Sequence, residues 1–142
     1  MLPKGYALTA KDALTIADLA NEPMVLLDMP LSRDYFLSMF QMAGLRPTIG
    51  ERTADLSFAR SLVANGFGFS LINIRVQNTT APDGKPLVFR PLVGDIRPMV
   101  LGLIMKQSGH RSRVVQAFCD HVKEAIKMGE LPGVPAESQS PS

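Results

Sequence analysis

Residues 54–73 read ADLSFARSLVANGFGFSLIN, a helix, a glycine turn and a short apolar strand, and this stretch decides the fold. Leu56, Ala59, Leu62, Val63 and Phe67 recur at spacings of three and four, which places them on one helical stripe. Asp55 or Ser57 suits the start, because a short side-chain oxygen accepts from an otherwise unpaired helix N–H. Asn65-Gly66 predicts the stop, since glycine takes the left-handed conformation without a Cβ clash. Phe67 to Ile72 is apolar except for Gly68 and Ser70, as expected of a strand covered on both faces in a parallel sheet. The stretch is the second half of a β-α-β crossover.

The preceding half lies directly upstream. Met24 to Asp28 is a compact apolar run read as a buried strand, and Met29-Pro30-Leu31 turns the chain. Ser32 is placed to cap a helix over 32–43, with Tyr35, Phe36, Met39, Phe40 and Ala43 on its stripe and Leu37 and Met42 off it. Gly44 closes that helix, and Thr48 to Thr53 forms the next strand. Further upstream, residues 3–8 read as an extended lead-in and Thr15 caps a brief helical turn. Downstream, Pro82-Asp83-Gly84 marks a turn. Leu87 to Arg90 and Met99 to Lys106 read as strands. A helix over 112–128 carries Val114, Val115, Phe118, Val122, Ala125 and Ile126 on one face. Residues 129–142 are rich in Pro, Gly and Ser and are expected to be disordered.

Three strands separated by two helices of ordinary length imply an α/β fold, a mostly parallel sheet flanked by helices. At 142 residues the chain is long enough for one domain with a real core. A net charge of +2, spread along the chain, does not argue for nucleic acid. There is no apolar stretch of membrane-spanning length and no secretory leader, and the single cysteine, Cys119, fits a reducing compartment, so the cytoplasm is expected.

In parallel sheets ligands bind at the carboxyl ends of strands, where helix N-termini open. That geometry selects Asp28 to Arg33, Glu51 to Ser57, and Asn73 to Arg75. Met29 to Arg33 is the strongest candidate, because a helix N-terminus favours a carboxylate or phosphate and Arg33 adds a forked donor. The plain alternative is that Ser32 is only a cap and Arg33 a solvated first-turn residue. Asp55 makes the second helix start less hospitable to an anion. Catalysis finds no constellation: Ser32 has no histidine near it in sequence, and His110 and His121 lack paired-ligand spacing. Cys119 reads as a buried, inert thiol. No nucleotide fingerprint, cofactor or metal site is expected, and no enzyme.

The run ADLANEPMVLLDMPLSRDYF, followed by RSLVANGFGFSLIN, LVFRPL, MVLGLIMK and a terminal helix with AFCDHV, resembles the effector-binding domain of LysR-type transcriptional regulators. The likeness covers about residues 1–128, and its specificity lies in the order of the pieces. It implies one lobe of a type 2 periplasmic-binding-protein-like fold: a second lobe over about 10–100, a crossing strand over about 99–106, and a helix 112–128 returning to the first lobe. The family's DNA-reading arm and most of its first lobe are absent from the sequence. The resemblance implies cytoplasmic small-molecule sensing, with effector contacts at Pro30, Leu31, Ser32, Arg33, Thr53, Ala54, Asp55, Leu56 and Asn73. Asn73-Ile74 stands where the family commonly has proline. A carboxylate is the favoured effector. The resemblance also implies a homo-oligomer paired through Phe36, Leu37, Met39, Phe40, Met42, Thr48 and Ile49. DNA is a partner only through a domain outside this chain, and no membrane is implied. The alternatives are an interaction fragment that pairs with full-length regulators, and a lobe of a transport-type solute-binding protein.

Overall fold

A computed structural model of the chain describes residues 1–74, 77–97, 99, 103–105 and 112–130. Its elements are β1 (Leu2–Pro3), a 3-10 turn (Ala7–Ala10), α1 (Ile16–Leu19), β2 (Pro23–Leu27), α2 (Pro30–Met42), β3 (Thr48–Thr53), α3 (Leu56–Ala64), β4 (Leu87–Val88) and α4 (Arg113–Met128). The chain divides into two units, one covering Met1–Ile72 and Gln77–Arg97, the other Asn73–Val76 and Pro98–Ser142.

In the first unit β2 lies at the centre. It runs parallel to β3, with Pro23 opposite Thr48 and Leu27 opposite Thr53, and a bulge between Met24 and Val25 leaves Gly50 unpaired. On its other edge, the Val25 N–H donates to the Phe69 carbonyl at 2.7 Å and the Phe69 N–H donates to the Pro23 carbonyl at 2.9 Å. The Ser70 N–H donates to the Met1 carbonyl at 3.0 Å, and the Met1 amine donates back to the Ser70 carbonyl at 3.0 Å. That exchange between one residue pair is antiparallel. β1 then pairs antiparallel with β4. The sheet order is β3, β2, the 69–70 segment, β1, β4. The expected parallel α/β centre is present, and the antiparallel edge was not legible in the sequence.

Covered on both sides, Met24, Val25, Leu26 and Leu27 are all buried, with Phe36 and Phe40 of α2, Ala59 and Val63 of α3, and Phe69. The α3 stripe is only partly right, because Phe67 is half exposed. The reason is local. The Phe67 N–H donates to the Leu62 carbonyl at 3.2 Å and the Gly66 N–H to the Val63 carbonyl at 2.9 Å, the Schellman closure of a helix. Phe67 is thus spent on ending α3, and the expected strand over 67–72 shrinks to a single bridge at Phe69. α2 ends in the same way: the Leu45 N–H bonds to the Phe40 carbonyl at 2.8 Å and the Gly44 N–H to the Gln41 carbonyl at 3.0 Å.

Helix starts differ. Thr15 caps α1, as expected, and does so in a capping box completed by Asp18. Lys11, 2.5 Å away, and then Thr15 hold the Asp18 carboxyl down to about 2. α3 starts on Asp55, which accepts from two backbone amides. α2, by contrast, begins two residues before Ser32, with Pro30 in its first turn and Met29 offering no side-chain cap. Proline brings a preset φ and lacks an N–H that would be orphaned there anyway, so it starts the helix without a capping side chain.

In the second unit, Ser112 caps α4 by accepting from the Val115 N–H at 3.3 Å. Cys119 is buried with its Sγ 3.3 Å from Met105 Sδ. The stripe expected on this helix divides: Ala125 is buried, Val122 and Ile126 are partly so, and Val114, Val115 and Phe118 are exposed. Of the expected strand 99–106, residues 99 and 103–105 are irregular and the rest lie outside the described residues, as do His110 and residues 131–142. His121 is exposed. Among the described residues, no helix is long and apolar enough to cross a membrane.

Gly68 has φ +127°, and a Cβ there would come 1.9 Å from the Pro23 carbonyl oxygen. Gly68→Ala is expected to cost about 3 kcal/mol or more in denaturant unfolding, through strain and overpacking together. Gly66→Ala, with open space around it, should lose about 1 kcal/mol for its left-handed backbone alone.

Candidate functional site

The parallel pairing brings two loops to one rim. The Asp28 N–H, just past β2, donates to the carbonyl of Thr53, the last residue of β3, at 2.8 Å. Residues 28–33 and 53–57 therefore open together, each leading into a helix.

The two helix starts offer different chemistry. At α3, the Asp55 Oδ1 accepts from the Ser57 N–H at 2.7 Å and the Phe58 N–H at 3.1 Å, and Thr53 Oγ1 accepts from the Asp55 N–H at 3.0 Å. Its amides are already served by a carboxylate, so this start repels a second anion. Ala54 is exposed beside it and Leu56 is half-buried. At α2 no side chain takes that part. The first amides, on Leu31 and Ser32, have no acceptor one turn back, and the Ser32 hydroxyl bonds to none of the described residues. Met29, Pro30 and Leu31 are exposed, Leu31 at 86%. Among the described residues, the α2 start is thus an open set of donors bordered by apolar side chains.

Arg33 does not offer the free fork its sequence position suggests. Its Nε donates to Asp34 Oδ1 at 2.9 Å and its Nη1 to Asp28 Oδ1 at 3.2 Å, while Arg52 Nη1 stands 3.7 Å from Asp28 Oδ2. Asp34 first and Asp28 second hold the Arg33 pKa above its ordinary value. Two guanidinium groups and two carboxylates leave this cluster without net charge. Neither Asp28 nor Arg52 is recognisable from sequence spacing alone as part of the Arg33 cluster. The available signal was their shared place at the carboxyl ends of neighbouring strands.

Asn73 belongs to the second unit, where its side-chain amide donates to Met99 Sδ at 2.9 Å. The residues assigned to a pairing surface separate into two kinds. Phe36 and Phe40, 1% and 0% exposed, are core residues and not available to a partner, a correction that follows from α2 turning that stripe onto β2. Leu37, Met39 and Ile49 are half-buried, Thr48 is exposed, and Met42 is 59% exposed. A depression of about 420 Å³, lined by Leu37, Gln41, Leu45 and Arg46 among others, lies at the far end of α2 from the rim. Among the described residues, no group of three or more His, Cys, Asp or Glu side chains is placed to hold a metal ion.

Residues 1–127 match the LysR substrate binding domain. The chain belongs to that family. Among curated relatives, it is 30% identical over 125 residues to the transcriptional regulator CatR of Pseudomonas putida, covering 76% of this chain and 43% of CatR. It is 31% identical over 74 residues to AlsR of Bacillus subtilis, covering 50% of this chain and 24% of AlsR. The LysR-family chain therefore spans less than half the length of either regulator. Among solved structures it is similar to HinK, a LysR family transcriptional regulator from Pseudomonas aeruginosa. That match has a TM-score of 0.76 and 32% identity, over 87% of this chain and 42% of that one. The C-terminal domain of a probable LysR family regulator from Rhodococcus sp. RHA1 matches with a TM-score of 0.72 and 32% identity, over 86% of this chain and 60% of that one. These neighbours confirm the type 2 periplasmic-binding-like α/β class. LysR substrate-binding domains bind small-molecule effectors.

The difference between the two helix starts is measurable. Asp55→Ala should cost about 1 kcal/mol in urea unfolding, because two amides lose their acceptor. Ser32→Ala should change stability by less than about 0.5 kcal/mol, since that hydroxyl caps nothing.

Proposed function

We propose that this LysR-family lobe senses a small molecule for a cytoplasmic transcription regulator and performs no catalysis. What supports the reading is the shared rim: a family domain whose two parallel strands end side by side, at one helix start with open donors. Pro30, Leu31, Ser32 and Arg33 form the polar side of the effector seat in this reading, and Thr53, Ala54, Asp55 and Leu56 shape its other wall. The effector carries an acceptor group, a carboxylate by preference, that meets the α2 amides, and an apolar body that lies against Met29 and Leu31. An effector that prefers one arrangement of the regulator's lobes shifts that equilibrium by its difference in affinity, and the shift reaches DNA through a separate domain.

Titration of the 15N-labelled chain with benzoate and with neutral benzamide tests the seat. Amide shifts centred on Leu31, Ser32 and Arg33 and larger with benzoate are expected. Shifts confined to other regions, or none at millimolar benzoate, would overturn the assignment.

The chain also pairs with a second copy in this reading, through Leu37, Met39 and Met42 of α2 and Thr48 and Ile49 of β3. The exposed thioether of Met42 favours it, since an apolar side chain of that size gains from being covered. Met42→Glu should lower the mass seen by analytical ultracentrifugation from an oligomer to a monomer. A wild-type chain that is monomeric across the concentration range rejects the pairing.

A further inference from the structure

We propose that Asp28 is an internal stand-in for the effector's anionic group, occupying Nη1 of Arg33 until a carboxylate displaces it. The proposal rests on the effector reading of the rim. Asp28 is fixed where it stands, because its N–H is bonded to the Thr53 carbonyl at 2.8 Å and its chain has just left the buried β2. Arg33 is the mobile member: it stands in the first turn of α2 on a long side chain that is 40% exposed.

Exchange needs a pair that is formed but not locked. The Asp28 and Arg33 side chains are 29% and 40% exposed, so the ion pair is wet, and wet pairs of this kind contribute little to stability. An incoming carboxylate replaces one carboxylate with another at Nη1 of Arg33 and gains the open amides of Leu31 and Ser32. Arg52 makes the exchange tolerable. Its Nη1, 3.7 Å from the second Asp28 oxygen, stays with Asp28 when Arg33 turns away, so no acid is stranded. Asp34, 71% exposed on the next residue, holds the Nε side of Arg33 without blocking Nη1. A neutral effector has no part in this exchange. Asp28 therefore sets the threshold that separates anions from neutral hydrogen-bonding compounds.

The test uses the full chain and titrates benzoate and benzamide into the wild type, Asp28→Asn and Arg52→Gln, reading affinity and the Arg33 Nε–H resonance by 15N NMR. Asp28→Asn should tighten benzoate about five- to tenfold, with the Arg33 Nε–H signal moving on binding and benzamide unchanged. Arg52→Gln should weaken benzoate a few-fold, because Asp28 then depends on Arg33 alone. If benzoate still shifts Leu31 to Arg33 but Asp28→Asn leaves its affinity unchanged or weaker, the stand-in is rejected and the effector seat survives. If Arg52→Gln tightens benzoate, the stand-in is rejected as well. Absence of rim shifts in every variant removes the effector seat, and the stand-in with it. Should Asp28→Asn lose its dispersed spectrum, the Arg52→Gln titration decides alone.

Discussion

The backbone of Gly68 lies against the carbonyl of Pro23, closer than any side chain would permit, and the rest of the first unit depends on that approach. It lets Phe69 bond to both Pro23 and Val25, which makes β2 a central strand with a neighbour on each edge. A strand placed there must be apolar on both faces, and Met24 to Leu27 are. With β2 fixed, α2 sets Phe36 and Phe40 into the core and α3 adds Ala59 and Val63. The carboxyl ends of β2 and β3 then fall side by side, and the rim follows from the register.

Much of this was legible in the sequence because its signals are local. Asp55 is followed by the amides it caps, Gly44 and Gly66 mark real helix ends, and the run Met24 to Leu27 names a buried strand without help from elsewhere. Three features escaped for physical reasons. Ser32 looks like a cap, yet proline two residues earlier starts the helix by geometry alone. Phe67 fits the α3 stripe by spacing, but the Schellman closure turns the chain before it can pack. The antiparallel edge, in which Met1 meets Ser70 and Leu2 meets Val88, joins residues distant in sequence, and two-residue strands carry no periodicity.

The candidate site shows the same division. Its location follows from strand ends and helix starts, which spacing reveals. Its charge does not. Arg33 read alone is a free cation, whereas Asp28, Asp34 and Arg52 are brought to it by one helix turn and by the pairing of two strands. The resulting neutral cluster leaves the amides of α2, and not a net positive field, as the rim's main claim on an acceptor. The opposite helix start, filled by Asp55, gives the rim polarity: one side donates and the other is already satisfied.

β3 is paired on one edge only within the described elements. Its sequence, Thr48-Ile49-Gly50-Glu51-Arg52-Thr53, carries an unpaired bulge residue and two exposed charges. A flat apolar edge would recruit any extended polypeptide and seed fibrils, whereas a kinked and charged one makes each such addition costly to desolvate. The open flank of the first unit is thereby guarded against indiscriminate strand capture by its kink and by Glu51 and Arg52.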